Sequence, residues 1–495
     1  MIELEARVHP GGIKARRPNG GARLVWPGRR WEPGRGGEEA GALSTVELPA
    51  CGADPGTDAD ADAGARLVHG DALAVAGALA REGLAGGVDL VYVDPPFASQ
   101  AEYVHEARLD GPATGRVLRA RAYDDHWDRV SGAYLDMLAP RLEALAGLLS
   151  PAGTIWVHVD WRASYLVRLL LDEILGPDAF VNEIVWRRAP NLGRQAASHQ
   201  FGRTLDTIVV YGRERARLVP PTRLEPIEPS AVRRDEQGRP FTSAPRGDYT
   251  DESIARLDEE GRVHRTASGK VYVKYFLVKN AEGAWCRERR VDALWADVPP
   301  LRHARVGERT GFPTQKPRAL LDRIVACASP PGGLVVDLFA GSGTTGESAH
   351  ALGRRFVLGD ASPLSLATAR ARLLRAGAPV LVQRCERAAP APGSSGGAPA
   401  PSGKAPRATV ERRGGELRVV LREPREPLAW AIDPAHHPSR PFRAAWHAER
   451  VPGARARPAP REAVVAAPPR ARGGHIAVRV WYDDGGVGAA LLEAP

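Results

Sequence analysis

Two short stretches bring acids, glycines and an aromatic ring together in spacings that suit chemistry. In "VDLVYVDPPFASQ" (88–100), an apolar run ends in Asp94, followed by Pro95, Pro96 and Phe97. An acid at the end of a buried strand emerges at the carboxyl edge of a sheet, where α/β sites lie. The two prolines fix the backbone beyond it and carry no N–H of their own to compete for nearby acceptors. An amine can donate to Asp94 and to the Pro95 carbonyl, while Phe97 offers a flat face to a ring carrying that amine. Hydrogen bonds to both amine protons favour the pyramidal nitrogen that attacks a carbon in line with its leaving group. Asp94 is then an orienter and electrostatic stabiliser.

In "VVDLFAGSGTTGESAHALGRRFVLGD" (335–360), Gly341, Gly343 and Gly346 stand in GxGxxG spacing. Glycines let the chain turn tightly against a ligand, and the helix that follows offers unsatisfied N–H groups. Asp360, at the end of the next strand, is placed to accept from ribose hydroxyls. A dinucleotide oxidoreductase competes for this reading. Asp337, just before the turn, weighs against it, because an acid there repels a pyrophosphate and welcomes a cationic sulfonium or amino group. No GxxxxGK[ST] occurs, so an ATP P-loop is not supported.

The elements around these stretches alternate between strand and helix. "ARLVHGDAL" opens the first compact unit, "ALAVAGALAREGLAG" supplies a helix, and "VDLVYV" is the next strand. "YLDMLAPRLEALAGLLS" reads as an amphipathic helix before the strand "TIWVHVD", and "YLVRLLLDEILG" as another helix. The alternation resumes at "ALLDRIVACAS", "LVVDLF" and "RRFVLGD". Such βα spacing predicts a parallel sheet covered on both faces. The sequence divides into a flexible or weakly structured leader (1–63), a first half of the core (64–220), an insertion or recognition region (221–300), a second half (301–385), an Ala/Pro/Ser/Gly linker (386–408) and a small strand-rich appendix (409–495).

A net charge of +9 favours an anionic partner without naming one. Cys51, Cys286, Cys327 and Cys385 are scattered, with no CxxC or Cys/His cluster, so neither a metal site nor a disulfide framework is suggested. With no apolar stretch of spanning length, the sequence reads as that of a soluble, cytoplasmic protein without a membrane partner.

With these residues in place, the sequence resembles the site-specific DNA amino-methyltransferases of the beta class, in which the catalytic motif precedes the cofactor motif. Asp94-Pro95-Pro96-Phe97 matches the family's (D/S)PP(Y/F/W) motif, with Phe97 in place of the commoner tyrosine. Asp337, Phe339, Gly341 and Gly343 match its FxGxG motif and leading acid. Thr314-Gln315-Lys316-Pro317 is similar to its TxKP element. The resemblance runs through residues 64–375.

It implies a doubly wound, Rossmann-like sheet of seven strands, with S-adenosylmethionine held by Asp337, Phe339, Gly341, Gly343, Asp360, Thr314, Lys316 and Pro317. It further implies methyl transfer to the N6 amine of adenine in double-stranded DNA, the target base flipped out of the stack onto Phe97. Cytosine N4 is the alternative, as is a catalytically silent DNA-binding scaffold. Arg187, Arg188, Arg194 and Arg203 are expected on DNA phosphates, a homodimer is expected to assist, and any restriction activity requires a separate subunit. His158 and Asp160 fall near the active edge with structural hydrogen bonding as their expected use, and Trp127 and Trp186 read as core or groove aromatics.

Overall fold

A computed structural model describes residues 3–5, 23–34 except 27, 41–48, 64–97, 102–108, 117–124 and 132–386 except 191–198, 200, 217, 267 and 305–306. Beyond these it describes 405–413, 416–424, 429–436, 442–443, 446–449, 459–466, 475–482 and 487–493. Arg194, Trp127 and most of the expected linker lie outside the described residues. The chain forms two compact units, residues 219–293 and all the rest.

The larger unit is built on one mixed sheet, with eleven strands among the described residues. In chain order they are β1 (Ala42–Leu48), β2 (Ala65–His69), β3 (Val88–Val93), β4 (Leu149–Val159), β5 (Phe180–Arg187) and β6 (Leu205–Gly212), then β7 (Leu294–Trp295), β8 (Leu334–Asp337), β9 (Arg355–Asp360), β10 (Leu381–Glu386) and β11 (Phe442–Arg443). Their order across the sheet is β7-β5-β6-β4-β3-β8-β9-β2-β10-β1-β11. The six strands from β4 to β10 run parallel, as the βα spacing predicts. Antiparallel β6 continues one side and antiparallel β1 the other.

The sheet is therefore wider than the seven strands expected. Alternation identifies a strand but not its neighbour, and β1 pairs with partners far along the chain: Glu47 lies opposite both Val382 and Phe442.

Helices α1 (Ala72–Leu79), α2 (Gly132–Gly147) and α3 (Ser164–Leu175) share one core with β3, β4 and β8. In α2 the buried Tyr134, Leu135, Leu138, Leu142 and Leu145 recur at helical spacing, which gives the helix a single apolar stripe. Val91 and Val93 of β3 join this core, while Leu90 and Tyr92, pointing the other way, are buried as well. A central strand covered on both faces follows. Helices α4 (Arg318–Ala328), α5 (Thr344–Ala351) and α6 (Pro363–Arg375) complete the βα units.

Within the expected leader, part of the described stretch 23–34 packs on the core of the larger unit. Leu24, Trp26 and Trp31 are buried in the main core. Arg29 donates to Glu173 of α3 at 2.7 Å, and the Trp31 indole donates to Glu143 of α2 at 3.0 Å. The Gly/Pro/Arg-rich composition hides a segment that straps two helices.

The C-terminal strands also pack on this unit. A three-stranded and a four-stranded antiparallel sheet enclose Leu417, Val419, Trp430, Ile432, Val478 and Val480. Trp481 packs with Phe442 and with Ala367 of α6, and the Arg370 guanidinium lies 3.8 Å from the Trp481 ring centre. Beside them, Arg479 donates to the Val46 carbonyl of β1 at 3.1 Å.

The smaller unit, Val219–Ala293, is an antiparallel sheet with strands Thr222–Pro226, Trp285–Arg290, Val271–Lys279, Pro240–Pro245 and Arg233–Arg234 in that order. Its helix Asp251–Glu259 buries Ile254 and Leu257 against Val263 and Val273, and Thr250 caps it by accepting from the Ser253 N–H at 3.2 Å. The expected insertion ended at 300, but Leu294 and Trp295 pair with β5 and belong to the larger unit. Among the described residues, no helix is long and apolar enough to cross a membrane.

Candidate active site

Strands β3 and β8 are parallel neighbours, so the turns that leave them open side by side at the carboxyl edge of the sheet. Between them lies a cavity of about 440 Å³ lined by Asp94, Pro95, Pro96 and Phe97 from one turn and by Asp337, Phe339, Gly341 and Asp360 from the other side. Thr314 and Lys316 close it from a third segment. Two stretches 240 residues apart in expectation thus meet in one pocket; Pro317 instead caps the start of α4.

At the acid turn, both Asp94 oxygens accept from Lys316 Nζ, at 2.7 and 2.5 Å. The same ammonium stands 4.9 Å from the Phe97 ring centre. From α2, Tyr134 donates to the Pro96 carbonyl at 2.9 Å. The turn is therefore held by groups from distant parts of the chain. Lys316, expected at the cofactor, lines the cavity and contacts the acid, and Thr314 nearby has φ of 59°, a left-handed conformation that a β-branched residue rarely takes.

At the glycine turn, Asp337 accepts from the Phe339 N–H at 3.0 Å and from the Thr345 hydroxyl at 2.6 Å. Burial pushes its carboxyl up to about 7, against the lowering effect of those two hydrogen bonds. Asp360 accepts from Gly341 N–H at 2.9 Å and Ser362 N–H at 2.8 Å, and burial raises it too. Gly343 has φ of 77°, and a Cβ there would lie 2.7 Å from that of Ala369, so only glycine lets the turn sit against α6.

Several cavity residues were not among those singled out from the sequence. Phe312, Gln315 and Asp71 line it. Gln315 braces its loop by accepting from Thr310 N–H at 2.9 Å and donating to the Glu308 carbonyl at 2.8 Å. Asp71 accepts from the Leu73 N–H at 3.0 Å to cap α1 and ion-pairs with Arg141. An acid directly after the first strand of the alternation was the available signal for Asp71.

Behind Phe97 lies a buried polar set. His158 is fully buried, 2.9 Å from the Tyr92 hydroxyl and 3.3 Å from Asp206, and its ring centre is 6.1 Å from that of Phe97. Burial alone would raise the Asp206 carboxyl, but the His158 hydrogen bond together with Lys316 and Arg188 holds it below the usual range. Burial, then the charges of Asp94, Asp337 and Asp206, keeps the Tyr92 phenol well above its ordinary value. Trp186 is buried and donates to the Val298 carbonyl at 3.0 Å, a core role.

Of the arginines expected on DNA, the described Arg187, Arg188 and Arg203 do not line the cavity. Arg188 pairs with Asp206 at 2.7 Å, Arg187 donates to the Ala296 carbonyl at 3.4 Å, and Arg203 stacks over Trp161. Asp160 pairs with Arg162, and burial raises its carboxyl.

The family model described as DNA methylase matches residues 88–369, more than half of the chain and inclusive of both turns. The chain belongs to this DNA N6/N4-methylase family. It is 27% identical over 318 residues to the type II methyltransferase M.EcaI of Enterobacter cloacae, covering 59% of this chain and 66% of the relative. To the Mod subunit of the type III restriction-modification enzyme StyLTI of Salmonella typhimurium it is 26% identical over 54% of this chain and 46% of the relative. The alignments thus span less than two thirds of these relatives. A solved PvuII DNA methyltransferase, cytosine-N4-specific, is 14% identical with a TM-score of 0.37, covering 66% of this chain and 90% of that one.

S-adenosylmethionine is the cofactor of this family. The cavity fits it: two carboxylates raised by burial, Asp337 and Asp360, line it and suit a ligand that brings positive charge and hydroxyl donors.

Proposed function

We propose that this chain methylates an exocyclic amine of a base in DNA, as an enzyme of the beta class. The observation that carries the reading is the shared cavity, in which Asp94 and Phe97 face Asp337 and Asp360. Asp337 and Asp360 are the residues that would hold the cofactor, with Gly341 and Gly343 shaping the turn and Phe339 and Thr314 beside it. Bound there, S-adenosylmethionine would supply an electrophilic methyl group to the amine that Asp94 orients.

The chain's own part is positioning. Asp94 accepts one amine hydrogen bond and Phe97 stacks the ring of a base taken out of the duplex. Tyr134 and Lys316 fix that turn, so the carboxylate meets the amine already oriented. Enclosure of the cavity between two turns limits water and strengthens each of these contacts.

The Asp-led motif favours adenine N6. Cytosine N4 is the second reading, raised by the likeness to a cytosine-N4-specific enzyme, which at its TM-score does not decide the base. A homodimer and a separate restriction subunit remain part of the proposal, the latter prompted by the likeness to a Mod subunit.

Single-molecule modification sequencing of DNA from a methylation-deficient host expressing the chain, or its Asp94→Ala variant, tests the function and the base together. N6-methyladenine or N4-methylcytosine at one motif, lost in the variant, is the expected result. Absence of any modified base despite abundant folded protein that binds S-adenosylmethionine overturns it.

A further inference from the structure

One strand away from the acid turn, segments at the same carboxyl edge carry three exposed rings. Trp161, two residues beyond the end of β4, is 47% exposed, and Tyr165 in the first turn of α3 is 58% exposed. Phe201, ahead of β6, is fully exposed. Soluble surfaces seldom leave three large aromatic side chains to water on one edge. Here the pairing of β4 with β6, Thr207 opposite Val159, directs both connections to the edge where β3 delivers Asp94.

The rings are interleaved with cations. The Arg203 guanidinium lies 4.0 Å from the Trp161 ring centre and that of Arg162 lies 5.1 Å from it. The loop bearing Arg203 is pinned, since Thr204 N–H donates to the Gly202 carbonyl at 3.0 Å and Ala189 N–H to that of Thr204 at 3.4 Å. The nearby acids are neutralised: Asp160 by Arg162 and Asp206 by Arg188. A surface that offers π-faces and positive charge together fits unpaired bases on a phosphate backbone, because bases stack on aromatics whatever their sequence.

We infer that Trp161, Tyr165 and Phe201, with Arg203, form a stacking platform for unpaired DNA bases beside the Asp94 turn, which holds the duplex open while the target base is in the pocket. The inference rests on the reading of the site as acting on DNA. Opening a base pair leaves its neighbours and its orphaned partner without a stack, and a platform one strand from Phe97 replaces part of that loss.

The test is binding of a labelled single-stranded DNA oligonucleotide to the full chain, by fluorescence anisotropy at fixed salt. Trp161→Ala and Phe201→Ala are expected to weaken it at least about fivefold, the lower end of the loss of one base–aromatic stack. Trp161→Phe, which keeps a ring, is expected to restore it to within about twofold. Unchanged binding in both alanine variants overturns the platform, as does failure of Trp161→Phe to rescue a folded protein, or tighter binding of the same sequence as RNA. Melting temperature and S-adenosylmethionine affinity, measured on each variant, report folding. Methyl transfer to duplex DNA by the unaltered chain is scored separately, so loss of the enzymatic reading and loss of the platform give different results.

Discussion

The two turns of the cavity are built in opposite ways. The two acids of the glycine turn are satisfied locally, Asp337 by residues two and eight positions on and Asp360 by the N–H groups of Gly341 and Ser362, while Thr344 at the head of α5 donates to the Lys316 carbonyl at 3.3 Å. The acid turn is stiffened by Pro95 and Pro96 but held from outside, by Tyr134 of α2 and by Lys316, 222 residues away. The setting of Asp337 and Asp360 is thus specified locally, whereas the orientation of Asp94 depends on completion of the whole unit.

The contrast is broken most severely at Asp94. Asp94→Ala should lower kcat by about 10²–10³-fold, the usual scale for a lost electrostatic stabiliser, while S-adenosylmethionine affinity by calorimetry stays within about threefold. At the other turn, Gly343→Ala forces a left-handed alanine against Ala369. The strain of about 1–3 kcal/mol should appear as roughly 5- to 150-fold weaker cofactor binding and a lower melting temperature, with the acid turn intact.

Lys316→Gln separates the two sides more finely. Because Lys316 contacts Asp94, kcat should fall about tenfold with cofactor affinity little changed. A shift confined to cofactor affinity would return Lys316 to the glycine side.

Together with Asp360, whose carboxyl is raised as well, Asp337 sets the pH dependence of cofactor binding. Its carboxyl rises on folding from 3.8 to about 7, so the cofactor-free folded chain holds an extra proton between these values. This group's contribution to stability is greatest at low pH and falls as pH climbs toward 7. Binding of a cationic ligand needs the carboxylate, so S-adenosylmethionine affinity should rise up to about tenfold per pH unit below 7 and level off above it. S-adenosylhomocysteine, without the sulfonium charge, should rise less. The smallest effect is expected for Tyr134→Phe, which removes one hydrogen bond to the Pro96 carbonyl and should cost about fivefold in kcat.

The same contrast explains what the sequence discloses. Asp337, Gly341, Gly343 and Asp360 are legible because a turn that satisfies itself must carry all its parts within one stretch. Asp94 to Phe97 are legible for the same reason, but the grip of Lys316 is not, since no local pattern states which distant acid a lysine meets. Burial of Trp26 and Trp31 was equally hidden: Glu143, which accepts from Trp31, and Glu173, which accepts from Arg29, sit on helices whose polar faces look like ordinary solvated surface. Five of the six parallel strands followed from alternation, while β10 and the width of the sheet depended on pairings that alternation cannot rank.

One of those pairings bears on how the chain is made. Strand β1 lies between β10 and β11, so its seven residues meet neither neighbour until the ribosome has passed residue 386 and then residue 443. At about 5–20 residues per second, that leaves a strand edge waiting roughly 20–70 s. Charged and hydroxyl side chains such as Ser44, Thr45 and Glu47 on β1 suit a segment that must stay out of other partnerships during that interval. Closure of this side of the sheet thereby waits on segments synthesised long after β1 itself.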